Sequence, residues 1–515
     1  MNEKELFLKI YEVSQKISTD VYIVGGFVRD QLLQEYFPDE YPLVQAVVEK
    51  SRVQAAIEQD IIDGGEEVII EVRKKSNDFD FVVDGGGLEF ARAFDNYIDI
   101  EGTLVEFPDF DTARYIIKVS EEFRIEVEFA GARTEEYNFS TRKPVVKSTT
   151  IEKDLARRDF TVNAMARKVL RGGDLGDVLD FYDGVGDLKN KLIRTPLNPD
   201  ETFSEDPLRM LRAARFASKL QFEIEEKTYQ SIIYNRARLE IISKERILEE
   251  FLKLLSSPVP SIGLWILFKT QLFDYFLPEV SALDGVEEVY GQGHKNNLSH
   301  TFLVVDNIAT RTNKTLLRYA ALMHDIGKPG TKEFIKGRGW AFDMHEHLGR
   351  KIVRLVGKRL RMSKDDTEYV AHLVRWHQQP IALMDEEITD SAVRRLLVNL
   401  RDDIDDLLKL CRSDITTGNP NKLNNRLKNY DVLENRLIEI ISKDKLRNFH
   451  SPVRGEEIME ICGLKPGPTV GKIKMAIENA ILEGEIANDY GEAMDYFMKI
   501  KDEFCEQVGE WERWG

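Results

Sequence analysis

Cysteine is scarce. The 515-residue chain has three, Cys411, Cys462 and Cys505, far apart and without paired spacing. That excludes a disulfide framework and a Cys-ligated zinc site, and leaves ordinary reduced thiols. No apolar run is long enough to span a bilayer, and the opening MNEKELFLKIYEV lacks the basic-then-apolar order of a secretory leader. The expected address is the cytoplasm, with no membrane partner. Internal repeats and low-complexity tracts are missing too. Positive charge is in deficit, with a net charge of -18. On the sum alone this argues against a nucleic-acid partner, because phosphate binding rests on clustered Lys and Arg. The distribution says otherwise: Arg142, Lys143, Lys147, Lys153, Arg157 and Arg158 gather in one stretch, and Arg209, Arg212, Arg215 and Lys219 in another. These would make a basic groove on an acidic body.

With 42% hydrophobic and 31% charged residues over this length, the chain is expected to form several domains with well-buried cores. Up to about residue 170, β-branched runs such as VYIVGG, FDFVVDGGG, YIIKVS and RIEVEFAGAR alternate with amphipathic stretches, an α/β pattern. From about 200 onward the pattern is helical, broken at SSPVPS, LPEVSALDG, KPGTKEFIKGRG and TTGNPN. A small α/β head followed by a long helical body is the expected organisation. The acidic segment from about 35 to 75 reads as an inserted helix plus strand.

Asp78 and Asp80 stand at i and i+2 in a strand pattern, so both point to one face. Paired carboxylates of this kind suit hard divalent cations such as Mg²⁺, which transfer of a nucleotidyl or phosphoryl group requires. Upstream, Gly25-Gly26-Phe27-Val28-Arg29-Asp30 follows the apolar strand Val21 to Val24. Strand, glycine pair and helix make a cradle for phosphate, with Arg29 expected to add a fork of donors. Arg124 to Phe129 alternates as another strand and offers Glu128 as a third carboxylate, with Glu126 on the same face as the competing choice.

GGFVRD, then DFD, then RRDFTVNA (157–164), then DFYDGVGDL, then EDPLRMLR (205–212) resemble, in this order, the motif set of class II tRNA nucleotidyltransferases and bacterial poly(A) polymerases. The resemblance implies a polymerase β-like head built on a mixed sheet, followed by an all-helical body. It implies Mg²⁺ held by Asp78 and Asp80, with CTP, ATP and tRNA as partners. Arg158 would contact phosphates, and Asp159 and Asn163 would hold the sugar or phosphate of the nucleotide. Gly25, Gly26, Arg29 and Arg212 complete the expected nucleotide site.

Asp206 and Arg209 fall at i and i+3 after an expected Ser204 cap with Pro207 in the first turn, so both could project from one helix face. A carboxylate accepts from the exocyclic amino group that C and A share, while a guanidinium donates to the adjacent ring acceptor. U and G present a carbonyl there. Reading C and A without a nucleic-acid template is the role the family gives this pair.

Two features depart from the family pattern. The stretch Glu35 to Lys75 lengthens the link between the glycine pair and Asp78, and Asp183 stands where the family often has glycine. The segment Arg133 to Thr150, with Glu135, Arg142 and Lys143, resembles the flexible loop of enzymes that add the final A, which favours addition of the whole CCA.

Of eight histidines, His294, His300, His324, His345, His347, His372 and His377 fall in one part of the body. Imidazole with carboxylate suits divalent metals, and His324-Asp325 is expected to open a helical turn before Ile326-Gly327-Lys328-Pro329. The region from about 290 to 420 resembles an HD-type phosphohydrolase domain. That implies a divalent metal held by His300, His324, Asp325 and Asp414, with His345 and His377 as ligands of a second. Near the C-terminus, Gly463 to Lys472 resembles the tail of bacterial CCA-adding enzymes, and its Gly- and Pro-bounded helix start is expected to offer free amides to a phosphate backbone.

The expected divisions are a head over 1–170, a helical neck that reads the nucleotide over 171–285, an HD domain over 286–420 and an RNA-binding helical tail over 421–515. The leading function is CCA addition to tRNA. The alternatives are a poly(A) polymerase, a phosphohydrolase whose head only binds RNA, and a non-catalytic RNA-binding protein. Oligomeric state is left open.

Overall fold

The computed structural model describes residues 2–41, 45–48, 70–73, 78–99, 101–118, 124–136, 145–285, 288–289, 292–293, 296–385, 389–444, 451–506, 508 and 510–513. The head is organised by a seven-stranded sheet. Its strands are β1 (Val21–Val24), β2 (Asp78–Val83), β3 (Gly102–Phe107), β4 (Thr112–Lys118), β5 (Arg124–Gly131), β6 (Ala166–Val169) and β7 (Leu175–Leu179). Their spatial order is β7-β6-β1-β2-β5-β4-β3, and β2 with β5 is the one parallel pair in an otherwise antiparallel sheet. β7 pairs with β6, so residues beyond 170, past the end of the α/β pattern read in the sequence, complete the sheet.

The alternation that defines β2 separates two environments. Phe79 and Phe81 point into a core shared with Phe7, Phe90, Phe94 and Phe129, while Asp78 and Asp80 remain on the open face. The core face is covered by α1 (Glu3–Lys16), α2 (Gly26–Tyr36) and α3 (Gly87–Asp95). In α1, Leu6, Phe7, Ile10 and Val13 recur at helical spacing and are buried, and Asn2 with Glu5 forms a capping box at its start. Of the 35 to 75 segment, residues 35–41 form the end of α2 and the turn after it, and Gln45–Val48 pairs with Ile70–Arg73 in a two-stranded ribbon; the rest lies outside the described residues.

The body is helical. A short helix α4 (Ile151–Ala156) leads into the neck, which contains α5 (Pro199–Glu205), α6 (Leu208–Leu220) and α7 (Lys244–Leu255). Next come α8 (Asn297–Ala309), α9 (Thr315–Met323), α10 (His345–Leu360), α11 (Lys364–Trp376) and α12 (Ile404–Ser413), then α13 (Gly455–Cys462), α14 (Pro468–Glu483) and α15 (Tyr490–Cys505). KPGTKEFIKGRG contains a small hairpin, Glu333–Ile335 with Gly339–Ala341, that the helical pattern did not announce. No helix among the described residues is long and apolar enough to cross a membrane.

Candidate active sites

The parallel pairing of β2 and β5 aligns Asp78 with Glu126 and Asp80 with Glu128. Four carboxylates therefore share one open face, from strands that are distant in sequence. β4 contributes a cation to this rung: Arg114 lies opposite Glu128, at 3.4 Å from it and 3.5 Å from Glu126. Burial raises the Asp80 pKa above the ordinary carboxylate value, Glu128 adds to the rise, and Arg158 opposes it. Acids crowded in this way hold less charge than they would alone, and a cation between them restores it.

Gly25 closes the site from the β1 end. Its φ of 70° lies in the left-handed region, and a Cβ there would stand 3.2 Å from Arg158 Nη1 and 3.9 Å from Asp80 Oδ2. Glycine is thus required both by conformation and by the approach of two functional side chains. Arg158 is held by the buried Asp154 at 3.4 Å, and Asp154 also takes Arg157 at 2.6 Å; the buried Arg158 Nε has no hydrogen-bond partner.

Arg29 stands elsewhere than the phosphate fork expected of it. It is buried, donates from Nη1 to Asn163 Oδ1 at 2.6 Å, and pairs with Asp30 at 2.6 Å. As the fourth residue of α2 it turns inward towards Phe216, so it positions Asn163. Asn163 in turn donates to Asp159 Oδ1 at 3.0 Å, and Arg212 grips Asp159 Oδ2 at 2.6 Å. Burial alone would raise the Asp159 pKa, but Arg212 and Asn163 outweigh it and bring it down to about 2. Glu250 on α7 extends the chain by pairing with Arg215 and lying 3.9 Å from Arg212.

The expected Asp206 and Arg209 pair on one helix face is also corrected. Ser204 lies inside α5, and Asp206 sits between α5 and α6 in extended backbone, where its Oδ1 accepts from Leu208 N at 3.2 Å. The i, i+3 rule needs both residues in the helix, and Asp206 precedes it. Arg209 is buried and donates to the carbonyls of Arg157 at 2.6 Å and Thr202 at 3.4 Å. Asp206 meets Arg246 of α7 instead, at 3.1 Å.

In the body, six of the expected residues converge. His300 Nε2 lies 2.9 Å from Asp414 Oδ1, and His324 Nε2 lies 3.4 Å from that same oxygen. His345 Nε2 lies 3.4 Å from Asp325 Oδ1 and 3.3 Å from His377 Nε2. The ligand atoms form two adjacent triads with metal-like spacing, His300, His324 and Asp414 beside Asp325, His345 and His377. Outer partners orient three of the rings: Nδ1 of His324, His345 and His377 faces the carbonyl of Ala321, Phe342 and Val374 respectively. Donation there directs Nε2 inward, as metal-binding histidines require. His324 Nε2 and Asp325 Oδ1 are buried without hydrogen-bond partners, and a cation between the triads would satisfy both. Burial, followed by the neighbouring His324, pushes the His377 pKa down to about 3, so the ring is neutral, and its Nε2 faces Gln378 Nε2 at 3.1 Å.

His324 follows the last residue of α9 in right-handed helical backbone, and with Asp325 it opens the turn that runs through Gly327, as expected. Of the remaining histidines, His347 faces Glu346 at 3.7 Å and His372 faces Asp403 at 3.3 Å, both apart from the triads; His294 lies outside the described residues. Arg142 and Lys143 also lie outside them. In the tail the amide of Thr469 at the start of α14 is taken by Glu512 at 3.1 Å, so the amides expected for phosphate are partly occupied by the chain's own carboxylate.

Arg114, Asp154, Arg246, Glu250 and Lys328 escaped the sequence reading. Lys328, which holds Asp325 at 2.5 Å, was the most visible of them, three residues beyond it. Asp154 was as local, three and four residues before Arg157 and Arg158, whereas Arg114, Arg246 and Glu250 act across strand or helix pairings that no local spacing displays.

A glycine turn facing carboxylates on a mixed sheet, joined to a helical body with a His and Asp centre, defines a nucleotidyltransferase with an attached HD domain. Residues 69–194 match the poly A polymerase head domain, 221–283 the probable RNA and SrmB-binding site of polymerase A, and 296–410 the HD domain. The A-adding tRNA nucleotidyltransferase of Deinococcus radiodurans is 31% identical over 65% of this chain and 76% of its own length. The CCA-adding enzyme of Streptococcus thermophilus is 26% identical over 90% of this chain and 98% of its own. Among solved structures, the Bacillus stearothermophilus CCA-adding enzyme in complex with CTP superposes with a TM-score of 0.64 at 20% identity, covering 99% of this chain and all of that one. This chain belongs to the tRNA nucleotidyltransferase family.

Proposed function

We propose that the chain completes tRNA 3′ ends with C, C and A from CTP and ATP, without a nucleic-acid template. The register that sets Asp78 and Asp80 beside Glu126 and Glu128 carries this reading. The likeness to a CCA-adding enzyme over 90% of the chain supports the full sequence of additions. Asp78 and Asp80, with Glu128, would hold Mg²⁺, which neutralises triphosphate charge and lowers the pKa of the attacking 3′-hydroxyl. Gly25 leaves room for the triphosphate against the start of α2, and Arg158 supplies positive charge beside Asp80. Arg29 and Arg212 fix Asn163 and Asp159, which then present one rigid polar edge to the sugar. Asp206 reads the amino group of C or A.

The division into a head, carried past residue 170 through β7 to Leu179, then neck, HD domain and tail is part of this proposal, as is a cytoplasmic address. At the second centre, one buried and one half-buried triad favour a divalent metal and a phosphoester-cleaving activity.

The test is extension of tRNA transcripts ending at the discriminator base, resolved at single nucleotides. Two additions with CTP and a stop at three with CTP and ATP are expected. Unbounded extension with ATP would identify a poly(A) polymerase, and addition of only CC or only A a partial enzyme. Asp78→Ala and Asp80→Ala should each lower turnover by on the order of 10³-fold; near-normal turnover in either would remove the assignment.

A further inference from the structure

We propose that Arg246 is a specificity-determining positioning residue: from α7 it sets the orientation in which Asp206 accepts from a base. The inference rests on the reading of Asp206 as the base-contacting carboxylate. Both oxygens of Asp206 are anchored, Oδ1 by Leu208 N at 3.2 Å and Oδ2 by Arg246 Nη2 at 3.1 Å. Two anchors fix the carboxylate plane, and because a carboxylate has about four acceptor sites, capacity remains for a base amino group. Arg209 is directed elsewhere, its Nη1 and Nη2 donating to the carbonyls of Thr202 and Arg157.

The anchoring helix is itself well fixed. Ser243 caps α7, and Ile247, Phe251, Leu254 and Leu255 bury its apolar face. One turn beyond Arg246, Glu250 engages Arg215 and approaches Arg212, which holds Asp159. A single helix therefore supports Asp206 and, through Arg212, the sugar-facing edge. The Arg246 side chain is 52% exposed, so its pairing adds little to stability and its effect is on orientation. A carboxylate free to rotate meets the carbonyl of U or G less directly, and its discrimination against those bases falls.

The experiment measures kcat/KM for CTP and UTP, and for ATP and GTP, on tRNA substrates awaiting C or A. It compares the full chain, Arg246→Gln, Arg246→Lys and Asp206→Ala. Arg246→Gln should lower the CTP to UTP ratio about tenfold or more, with an unchanged melting temperature, and Arg246→Lys should recover part of the ratio. An unchanged ratio in Arg246→Gln alongside a reduced one in Asp206→Ala would overturn the role of Arg246 and leave the base-reading role of Asp206 standing. An unchanged ratio in Asp206→Ala would overturn both.

Discussion

At Asp159 burial and charge act in opposite directions, and charge prevails. Its pKa falls from 3.8 to about 2 because Arg212 and Asn163 prefer the carboxylate. The stabilisation is complete above the unfolded value near pH 4 and is lost as pH falls through the folded value near 2, amounting to roughly 2 kcal/mol at neutral pH. Asp159→Asn should therefore flatten the stability profile between about pH 4 and 2, which acid titration of the melting temperature would reveal. Asp183 poses a different local question. With φ 62° and ψ 35° it occupies left-handed backbone in a turn where the family often has glycine. A non-glycine residue there carries roughly 1 kcal/mol of strain, which Asp tolerates better than most. Asp183→Gly should leave the melting temperature nearly unchanged, whereas Asp183→Ala should lower it by about the equivalent of that strain.

Among the elements, α10 shows how closely a site can depend on one packing contact. A Cβ on Gly327 would meet the carbonyl of His345 at 2.1 Å and Gly349 N at 2.8 Å, so the chain after His324 and Asp325 lies directly against the start of α10. Gly327→Ala should push His345 away from Asp325 and lower metal affinity at that centre at least about tenfold, measured by competition with a chelator. The residues of the two triads could be named from the sequence because His324-Asp325 and the clustered histidines are local signals and the resemblance to an HD domain singled out Asp414. Their supports were not, because carbonyl partners such as Val374 and Phe342 depend on where helices end. The head shows the same division. Asp78, Asp80 and Gly25 could be read from alternation and a glycine pair, but the inward turn of Arg29 and the engagement of Arg209 depend on neighbours brought in from other elements. The helix start at Pro468 looked open only because its occupant, Glu512, lies at the far end of the chain.

At the scale of the molecule, the two polar centres are built from separate sets of residues, 78–128 in the head and 300–414 in the body. They should respond independently to substitution. Asp325→Ala is expected to lose metal at the body centre, measured by elemental analysis, and to keep CTP addition within about threefold, since transition-state stabilisation resides in the head. Loss of both together would mean that the body's centre is required for the head to hold its shape.

The single parallel pairing in the sheet also has a meaning for how the molecule comes to exist. β2 and β5 cannot be joined by a tight turn, and the chain must first lay down α3 and the β3–β4 hairpin before Glu128 reaches Asp80. A ribosome-bound chain that has exposed only β2 has half of the acid set and no means of completing it. Non-local closure of this kind carries a loop entropy that local contacts do not, and the pairing of β1 with β6, which brings Gly25 to Arg158, spans a longer loop still. The complete set of four carboxylates is thereby tied to completion of the sheet.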